Sequence, residues 1–353
     1  MEQINVGVIG TGWCGGIRAN ASAASALVQD LHIAEINPER LEEVSSETHA
    51  ASATTDYHEL LARVDVTAIM ISATPESTHY PIAKDSLMAG KHVLLEKPIS
   101  LTLKEADELV ALAKSKNVKF TIGYSQRFNH KYAFIRKSLL EGTIGRPVSA
   151  VISRHITRSL GDKISGRTPL SPAAMEATHD IDFVLWCMQP AKAVRVYAQS
   201  GYGVMKDKTG MEDTMWIMIT LDNGVVITVG AGWTMPPGYP NYSGTWLEFV
   251  GTDGMLIVDD THRDFIVNTM NKGIELPMST MPGEFVNHVY AGPMHPETIH
   301  FLEAVAYDRD VMVTPEHARQ VMEVYMAADL SADTNIPVEL PMTAEQIAMS
   351  SPV

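Results

Sequence analysis

The sequence predicts an α/β protein in two parts, a doubly wound parallel sheet followed by a domain with a mainly antiparallel sheet. Over the first third of the chain, short apolar strands alternate with helical stretches, as in a parallel sheet with crossover helices. From residue 147 onward, strands follow one another without long helices between them. A length of 353 residues with 45% hydrophobic content supplies apolar material for two cores.

The first part is predicted from the spacing of its apolar runs. Candidate strands lie at 5–9, 31–35, 68–72, 92–95 and 119–123. Candidate helices lie at 38–46, 79–89 and 103–116, with a further helix near 129–141. Thr102 followed by Glu105 forms a capping-box pattern, which predicts where the helix 103–116 begins.

The second part is predicted from turns as well as strands. Candidate strands lie at 148–156, 193–199, 215–221, 225–229, 246–250 and 255–258. The turns Asp222-Asn223-Gly224 and Thr252-Asp253-Gly254 are hairpin signals, so neighbouring strands should run antiparallel. Helices at 174–188 and 296–307 interrupt this pattern. We therefore expect one domain at 1–124 and a second at 125–353, whose C-terminal tail could pack back on the first.

Charge and composition exclude several classes of function. The formal net charge is -15 and the pI about 5.3, which disfavours binding to nucleic acid or to an anionic membrane surface. No apolar run reaches membrane-spanning length, and the N-terminus does not resemble a signal peptide. Cys14 and Cys187 are too few for a disulfide framework, so a reducing, cytoplasmic setting is expected. His288, His295 and His300 lack metal-ligand spacing, and no metal is predicted.

A glycine-rich motif follows the first strand. Gly10, Gly12 and Gly15 form Gly-x-Gly-x-x-Gly, and the acid Glu35 ends the second strand twenty positions later. This combination is typical of dinucleotide binding, with the pyrophosphate at a helix N-terminus and the acid on a ribose diol. Ile36 follows the acid, where NADP-binding proteins often carry a basic residue for the 2'-phosphate. The predicted cofactor is therefore NAD.

A lysine ends the buried strand at 92–95. Because proline cannot donate to a sheet ladder, Lys97-Pro98 should lie where the strand stops and the lysine side chain leaves the sheet. In open α/β sheets, ligands bind outside the carboxyl ends of the strands. Lys97 is therefore a candidate for chemistry. Glu96 beside it could contact the nicotinamide or ribose, or could end the strand and pair with a basic side chain.

These features together resemble the Gfo/Idh/MocA oxidoreductases, and the resemblance covers essentially the whole chain. It rests on motifs in register: Gly10-Thr11-Gly12-Trp13-Cys14-Gly15, Ala34-Glu35-Ile36-Asn37-Pro38-Glu39-Arg40, Ala73-Thr74-Pro75 with His79, Ala89-Gly90-Lys91-His92-Val93 leading to Glu96-Lys97-Pro98, Gly123-Tyr124, Arg127-Phe128, His179 with Asp182, and Pro337-Val338. It implies a Rossmann domain and an α/β domain with a large open, mostly antiparallel sheet often used for oligomer contact. It also implies hydride transfer between a nicotinamide and a secondary alcohol or its ketone.

The resemblance assigns two catalytic residues. Lys97 would polarise the substrate oxygen and relay a proton, and His179 would act as general base. Members of the family commonly carry an aspartate four residues before this histidine, but this chain has Met175 there. Glu176 and Asp182 lie three residues to either side of His179 and could orient its ring. A structural role for His179 on an apolar helix is the alternative.

Weaker candidates surround these residues. The cofactor-binding set implied by the resemblance is Gly10, Thr11, Gly12, Trp13, Cys14, Gly15, Glu35, Ile36, Thr74, Pro75, His79, Glu96 and Lys97. His79 could instead cap a helix, and Trp13 could pack against one. Substrate contacts are suggested by general location at Tyr124, Arg127, Arg154, His179, Trp233 and His300. The basic stretch of Arg154, His155, Arg158, Lys163 and Arg167 could recognise an acidic substrate, line a solvated loop or reach a neighbouring subunit.

The expected function is oxidation of a secondary alcohol of a sugar, polyol or glycoside by an NAD-dependent dehydrogenase. Alternatives are a dehydrogenase of a cyclic non-sugar such as a dihydrodiol, a glycosidase-like enzyme with tightly held NAD and no net redox, and a cofactor-sensing regulator. A regulator would need the glycine loop but neither Lys97 nor His179. We expect a homo-oligomer, either a dimer, a tetramer or a larger assembly, and a small carbohydrate-like substrate as the partner.

Overall fold

The computed structural model describes residues 3–237, 239, 242–261, 267–275, 284–286 and 289–350. The chain divides into two compact units. The first contains Met1–Phe128 and Phe285–Arg319, and the second contains Asn129–Glu284 and Gln320–Val353. The sequence placed the boundary at 124, and we expected that the C-terminal tail could pack back on the first domain. In the structure the segment 285–319 belongs to the first unit, whereas the tail beyond it belongs to the second.

The N-terminal segment alternates strands and helices, as its apolar spacing predicts. In chain order the elements are β1 (Ile4–Ile9), α1 (Trp13–Ala23), β2 (Val28–Ala34), α2 (Pro38–Thr48), β3 (Ser52–Thr54), α3 (Tyr57–Leu61), β4 (Val66–Ile71), α4 (His79–Met88), β5 (His92–Leu95), α5 (Leu103–Lys116) and β6 (Phe120–Ile122). The predicted capping box is confirmed, because Thr102 Oγ1 accepts from the Glu105 amide and Glu105 Oε2 accepts from the Thr102 amide.

The central segment carries most of the second unit. Its elements are α6 (His130–Leu140), β7 (Pro147–Thr157), α7 (Arg158–Ile164), α8 (Thr178–Cys187), β8 (Ala193–Gly201), α9 (Val204–Thr209), β9 (Thr214–Leu221), β10 (Val226–Met235), β11 (Ser243–Gly251) and β12 (Met255–Asp260). A π-helical turn over Ala173–Ala177 leads directly into α8.

The remaining segment contains two short ribbons and three helices among its described residues. These elements are β13 (Val267–Thr269), β14 (Gly273–Glu275), β15 (Glu284–Val286), β16 (Val289–Ala291), α10 (Met294–Ala306), α11 (Pro315–Thr334), β17 (Val338–Glu339) and α12 (Ala344–Ser350). Within the described part of the chain, no helix combines the length and the apolar character needed to cross a membrane.

The first unit is organised on a six-stranded parallel sheet with the order β3-β2-β1-β4-β5-β6. This is the predicted doubly wound sheet, and its centre is fully buried. Val8 on β1 and Met70 on β4 form a hydrophobic cluster with Phe301 and Leu302 of α10. The returning helix therefore completes the core of this unit, because it covers apolar side chains of the central strands.

The second unit is organised on a seven-stranded sheet with the order β12-β11-β7-β10-β9-β8-β17. It is mostly antiparallel, as predicted, but β7 and β10 pair in parallel. Phe183 of α8 packs edge-on against Phe249 of β11, with ring centroids 5.9 Å apart, so this helix covers the inner face of the sheet. The resulting fold is α/β in both units.

Candidate active site

Four loops of the first unit leave the parallel sheet at the same edge. Ile9 at the end of β1 pairs with Ala34 of β2 on one side and with Ile71 of β4 on the other, and Ile71 pairs with Leu95 of β5. The segments that follow these strands contain the glycine motif, Glu35, the Ala73-Thr74-Pro75 loop and Glu96-Lys97. The parallel topology therefore brings together residues from four separate places in the sequence.

The glycine loop leaves the N-terminus of α1 open. Gly10 has φ +79°, and a Cβ on Gly15 would lie 1.8 Å from the Gly10 carbonyl oxygen, so both positions require glycine. Gly12 precedes α1 without a side-chain cap, and nothing lies within 4 Å of where its Cβ would be. The free amides of an eleven-residue helix therefore face a space that suits a pyrophosphate.

Glu35 is bonded to the glycine loop. Its Oε2 accepts from the Thr11 amide at 2.6 Å and from Thr11 Oγ1 at 3.1 Å, and its Oε1 accepts from the Asn37 amide at 3.0 Å. Ile36 beside it is 81% exposed and lines an open depression with Asn37, Pro38 and Glu39. An acid held beside the glycine loop, with an apolar neighbour, fits the ribose and adenine of NAD.

Arg40 also holds the glycine loop, which the sequence did not indicate. Its Nε donates to the Thr11 carbonyl oxygen at 2.8 Å, and its Nη1 pairs with Glu43. Arg40 and Glu35 therefore hold opposite ends of the Thr11 residue. The sequence placed Arg40 at the end of the motif Ala34-Glu35-Ile36-Asn37-Pro38-Glu39-Arg40 but did not indicate this contact.

Lys97 lies two residues beyond the end of β5 and is half-buried. The Lys97-Pro98 and Thr74-Pro75 peptide bonds are both cis. His79, at the start of α4, is buried between the two segments that contain them, with Nδ1 2.8 Å from the Pro98 oxygen and Nε2 3.1 Å from the Ala73 oxygen. His79 therefore ties the loop after β4 to the turn after β5, and its polar atoms bond to protein groups.

Glu96 takes part in a buried ion-pair cluster. Arg18 of α1 is fully buried; its Nη2 bonds to Glu96 Oε1 and forms an ion pair with Glu297 Oε2 of α10 at 2.9 Å. Burial opposes the charge on Arg18, but the carboxylates of Glu297 and Glu96 outweigh it and raise its pKa. Of the two interpretations of Glu96, these contacts favour pairing with a basic side chain. The sequence reasoning missed Arg18, because its partners lie far along the chain.

Trp13 and Cys14 begin α1 and differ in environment. Trp13 is 59% exposed, so its ring is available to a ligand. The pKa of the Cys14 thiol is raised to about 12, first by burial and then by the charge of Glu96. Cys14 is therefore a neutral thiol beside the ion-pair cluster at neutral pH.

His179 is the accessible position on its helix. Every residue from 172 to 188 is buried except His179, which is half-buried. His179 is therefore the one partly accessible residue of a segment that is otherwise core. This placement belongs to the second unit, whereas Lys97 belongs to the first.

The residues around His179 are held in the interior. Met175 is buried, and Asp182 is fully buried. Glu176 accepts from Trp233 Nε1 at 3.1 Å through Oε1 and lies 3.4 Å from Arg154 Nη1 through Oε2. The Glu176 carboxylate is thus engaged by two side chains of the sheet.

Most of the residues suggested as substrate contacts lie in the interior. The side chains of Tyr124, Arg127, Arg154 and Trp233 are at most 4% exposed. Arg127 Nη1 donates to the Met312 oxygen at 2.9 Å, and the Met312 amide donates to His300 Nε2 at 2.9 Å. These contacts tie Arg127 and His300 to the backbone of Met312.

The basic stretch does not form one patch. Arg154 and His155 are buried in β7, whereas Lys163 and Arg167 are exposed in and after α7. Among the described residues, no group of three or more His, Cys, Asp and Glu side chains is arranged to hold a metal ion.

Comparison with known proteins agrees with this architecture. Residues 4–124 match the family model described as an oxidoreductase family with an NAD-binding Rossmann fold, and residues 132–257 match the GFO/IDH/MocA C-terminal domain. The chain is 30% identical to UDP-N-acetylglucosamine 3-dehydrogenase of Acidithiobacillus ferrooxidans, covering 65% of this chain and 67% of that protein. It is 27% identical to levoglucosan dehydrogenase of Pseudarthrobacter phenanthrenivorans, covering 84% and 82%.

A solved structure has the same fold over nearly the whole length. The scyllo-inositol dehydrogenase of Lactobacillus casei, determined with NAD(H) and scyllo-inositol, superposes with a TM-score of 0.82 at 22% identity, covering 96% of this chain and 99% of that one. Together with the two matched domains, this likeness confirms the resemblance seen in the motifs. The chain belongs to the Gfo/Idh/MocA family of oxidoreductases, whose first domain is an NAD-binding Rossmann fold.

Proposed function

We propose that the protein is an NAD-dependent dehydrogenase that oxidises a secondary alcohol of a sugar, polyol or glycoside to the ketone. The observation that carries the proposal is the position of Lys97, which lies two residues beyond the end of β5, at the sheet edge shared with the glycine loop and Glu35. The substrate class is supported by the names of similar proteins, which act on UDP-N-acetylglucosamine and levoglucosan. Both compounds are rings that carry secondary hydroxyls.

Each residue of the site has a role in cofactor binding or catalysis that follows from its chemistry. When bound, NAD supplies the nicotinamide that accepts a hydride. The amides at Gly12 and the start of α1 hold the pyrophosphate, and Glu35 accepts from the ribose hydroxyls. The Lys97 amine donates a hydrogen bond to the substrate oxygen and stabilises the negative charge that develops there. The His179 imidazole accepts the hydroxyl proton.

Several neighbours support these roles. Thr74, Pro75 and the exposed Trp13 border the nicotinamide half of the cofactor. His79 places the turn that carries Lys97. We assign Glu176 and Asp182 to the support of the helix that presents His179.

The test is a screen of sugars, inositols, glycosides and sugar acids for NADH absorbance. With the best substrate, Lys97→Ala should lower kcat about 100-fold to 1,000-fold while NAD affinity stays within a few-fold. The matched control is Lys104→Ala, at an exposed lysine on α5. Turnover of the Lys97 variant within a few-fold of wild type would refute this role. Bond cleavage in a glycoside without net NADH would instead identify an enzyme with internal redox.

We also propose that a second copy of the chain covers the outer face of the seven-stranded sheet. Trp216 and Met218 of β9 and Met255 and Ile257 of β12 are each between 44% and 49% exposed there. Apolar side chains spread across a flat sheet are typical of a subunit interface. Sedimentation should show an oligomer that Trp216→Glu with Ile257→Lys converts to monomers, and a monomeric wild type would refute the proposal.

A further inference from the structure

A buried arginine of the second unit is bonded to the helix that presents His179. Arg154 lies on β7 and is 4% exposed. Its Nε lies 3.1 Å and 2.9 Å from the two carboxylate oxygens of Asp180, and its Nη1 lies 3.4 Å from Glu176 Oε2. Its Nη2 donates to the backbone oxygen of Glu176. One guanidinium therefore contacts two carboxylates and one carbonyl of the same helical turn.

The charges of this cluster hold it together in the interior. Burial opposes the charge on Arg154, but Asp180 and Glu176 outweigh it and raise the Arg154 pKa. Burial raises the pKa of Asp180 to about 6, although Arg154 acts in the opposite direction. Trp233 Nε1 occupies the remaining oxygen of Glu176 at 3.1 Å. Removing the guanidinium would leave two buried carboxylates without their cation, which is strongly destabilising.

The segment that Arg154 contacts changes its helical geometry. Residues Ala173–Ala177 form a π-helical turn, and α8 begins at Thr178. In a π-helical turn the backbone hydrogen bonds join residues five apart instead of four. Such turns are rare in proteins and are frequent at functional sites. Glu176 lies in the π-turn and Asp180 in α8, so Arg154 spans the junction between the two geometries. His179 lies inside the turn that Arg154 spans.

We infer that Arg154 is a positioning residue for His179, fixing the rotation and height of the helical turn that carries the imidazole. The inference deepens the proposed function, because it rests on His179 acting as the general base. The family commonly places an aspartate at position 175, and this chain has a methionine there. Arg154 fixes the position of this helical turn through its bonds to the Glu176 backbone and to the carboxylates of Glu176 and Asp180. Arg154 contacts the buried side of the helix and so acts on the position of the imidazole indirectly. A carboxylate at position 175 would instead lie beside the ring.

The first experiment substitutes Arg154→Lys, which keeps the positive charge and loses the fork that bonds three groups at once. We expect kcat to fall about 10-fold to 100-fold, because a small misplacement of a catalytic group is enough for a loss of this size. NAD affinity should not change, since the glycine loop and Glu35 belong to the other unit. The matched control is Arg195→Lys on β8 of the same sheet, whose Nε pairs with Glu339 at the surface.

The decisive measurement is a double-mutant cycle with His179→Asn. If Arg154 acts through His179, Arg154→Lys should cost little further activity once the imidazole is gone. An equal loss of kcat in both backgrounds would overturn the inference. Trp233→Phe, which removes the donor to Glu176 and alters no charge, gives a second variant should Arg154→Lys fold poorly. Its smaller loss of kcat should likewise disappear in the His179→Asn background.

A readout without turnover separates this inference from the proposed function. The His179 ring signal, assigned by its absence in His179→Asn, should shift in the NMR spectrum of Arg154→Lys and stay in place in Arg195→Lys. If the wild type oxidises no alcohol and the signal still shifts, the proposed function fails and the positioning role stands. An unmoved signal with unchanged kcat would overturn the positioning role alone.

Discussion

His79 and Pro98 are joined by a buried hydrogen bond, with His79 Nδ1 2.8 Å from the Pro98 backbone oxygen. The other ring nitrogen faces the Ala73 oxygen at 3.1 Å. Burial lowers the pKa of His79 below its ordinary value, although the Pro98 carbonyl acts against this change. A neutral ring donates one of the two bonds. The imidazole thus connects the turn that carries Lys97 to the loop that borders the cofactor site.

We predict that His79→Phe lowers kcat about 10-fold, because the turn after Lys97 loses its anchor. The free energy of unfolding should fall by about 1–3 kcal/mol, since the Pro98 carbonyl is left buried without its donor. His32→Phe is the control, at a buried histidine on β2 whose Nδ1 lies 2.8 Å from Ser52 Oγ. Urea unfolding and steady-state kinetics measure both quantities. A loss of stability alone, equal for both variants, would show that His79 does not place Lys97.

We expect Glu35 and its exposed neighbour Ile36 to set the preference for NAD over NADP. We expect Glu35→Ser with Ile36→Arg to lower the ratio of kcat/KM for NAD to that for NADP at least about 100-fold, because a like charge no longer opposes the 2'-phosphate. Part of the loss with NAD should come from the glycine loop, since Glu35 also bonds the Thr11 amide. Glu47→Ser, at an exposed acid near the other end of α2, is the control. An unchanged ratio would contradict the placement of the ribose at Glu35.

Local signals explain why so much of the first unit was predicted. The glycine motif, the acid at the end of β2 and the Thr102 capping box each act over a few residues, and the structure contains all three. The helix α11 was not predicted, because its sequence lacks a local helical signal. Every residue from 321 to 328 is buried, so the segment shows no apolar stripe with a polar face.

Contacts between residues distant in sequence could not be predicted from local patterns. The local sequence around Arg154 predicts an exposed basic side chain on a strand. Only the fold brings Glu176 and Asp180, which are 22 and 26 residues away, to its guanidinium. The parallel pairing of β7 with β10 has the same cause, because turn residues specify only the strands that they join directly.

Lys91 shows that part of the family signature is structural. Its Nζ donates to the Arg63 and Val66 carbonyl oxygens at 2.6 Å and 2.8 Å, and burial lowers its pKa. We expect Lys91→Met to reduce the free energy of unfolding by about 2–4 kcal/mol and to leave kcat of the folded enzyme unchanged. Lys114→Met, at an exposed lysine of α5, should change neither. Loss of kcat in Lys91→Met at full stability would place Lys91 in the active site instead.

His155 on β7 should make the stability of the second unit depend on pH. Thr214 Oγ1 donates to the Ala231 oxygen, so it must accept from His155 Nε2, 2.9 Å away. Nδ1 then accepts from Ser153 Oγ at 3.3 Å. The neutral ring therefore satisfies both contacts, whereas a protonated ring would direct a second donor at Ser153.

Burial, and secondarily the charge of Arg154, lower the pKa of His155 from 6.5 to about 4. Above pH 6.5 the ring is neutral in both the folded and the unfolded chain, and its contribution is constant. As the pH falls from there to about 4, only the unfolded chain takes up the proton, so stability is lost by on the order of 3 kcal/mol. Urea unfolding at pH values from about 7 to about 4 measures this loss. His155→Gln should reduce the slope, and His130→Gln, at an exposed histidine, is the control. A constant difference between wild type and His155→Gln over the whole range would show that the proton is taken up equally in both states.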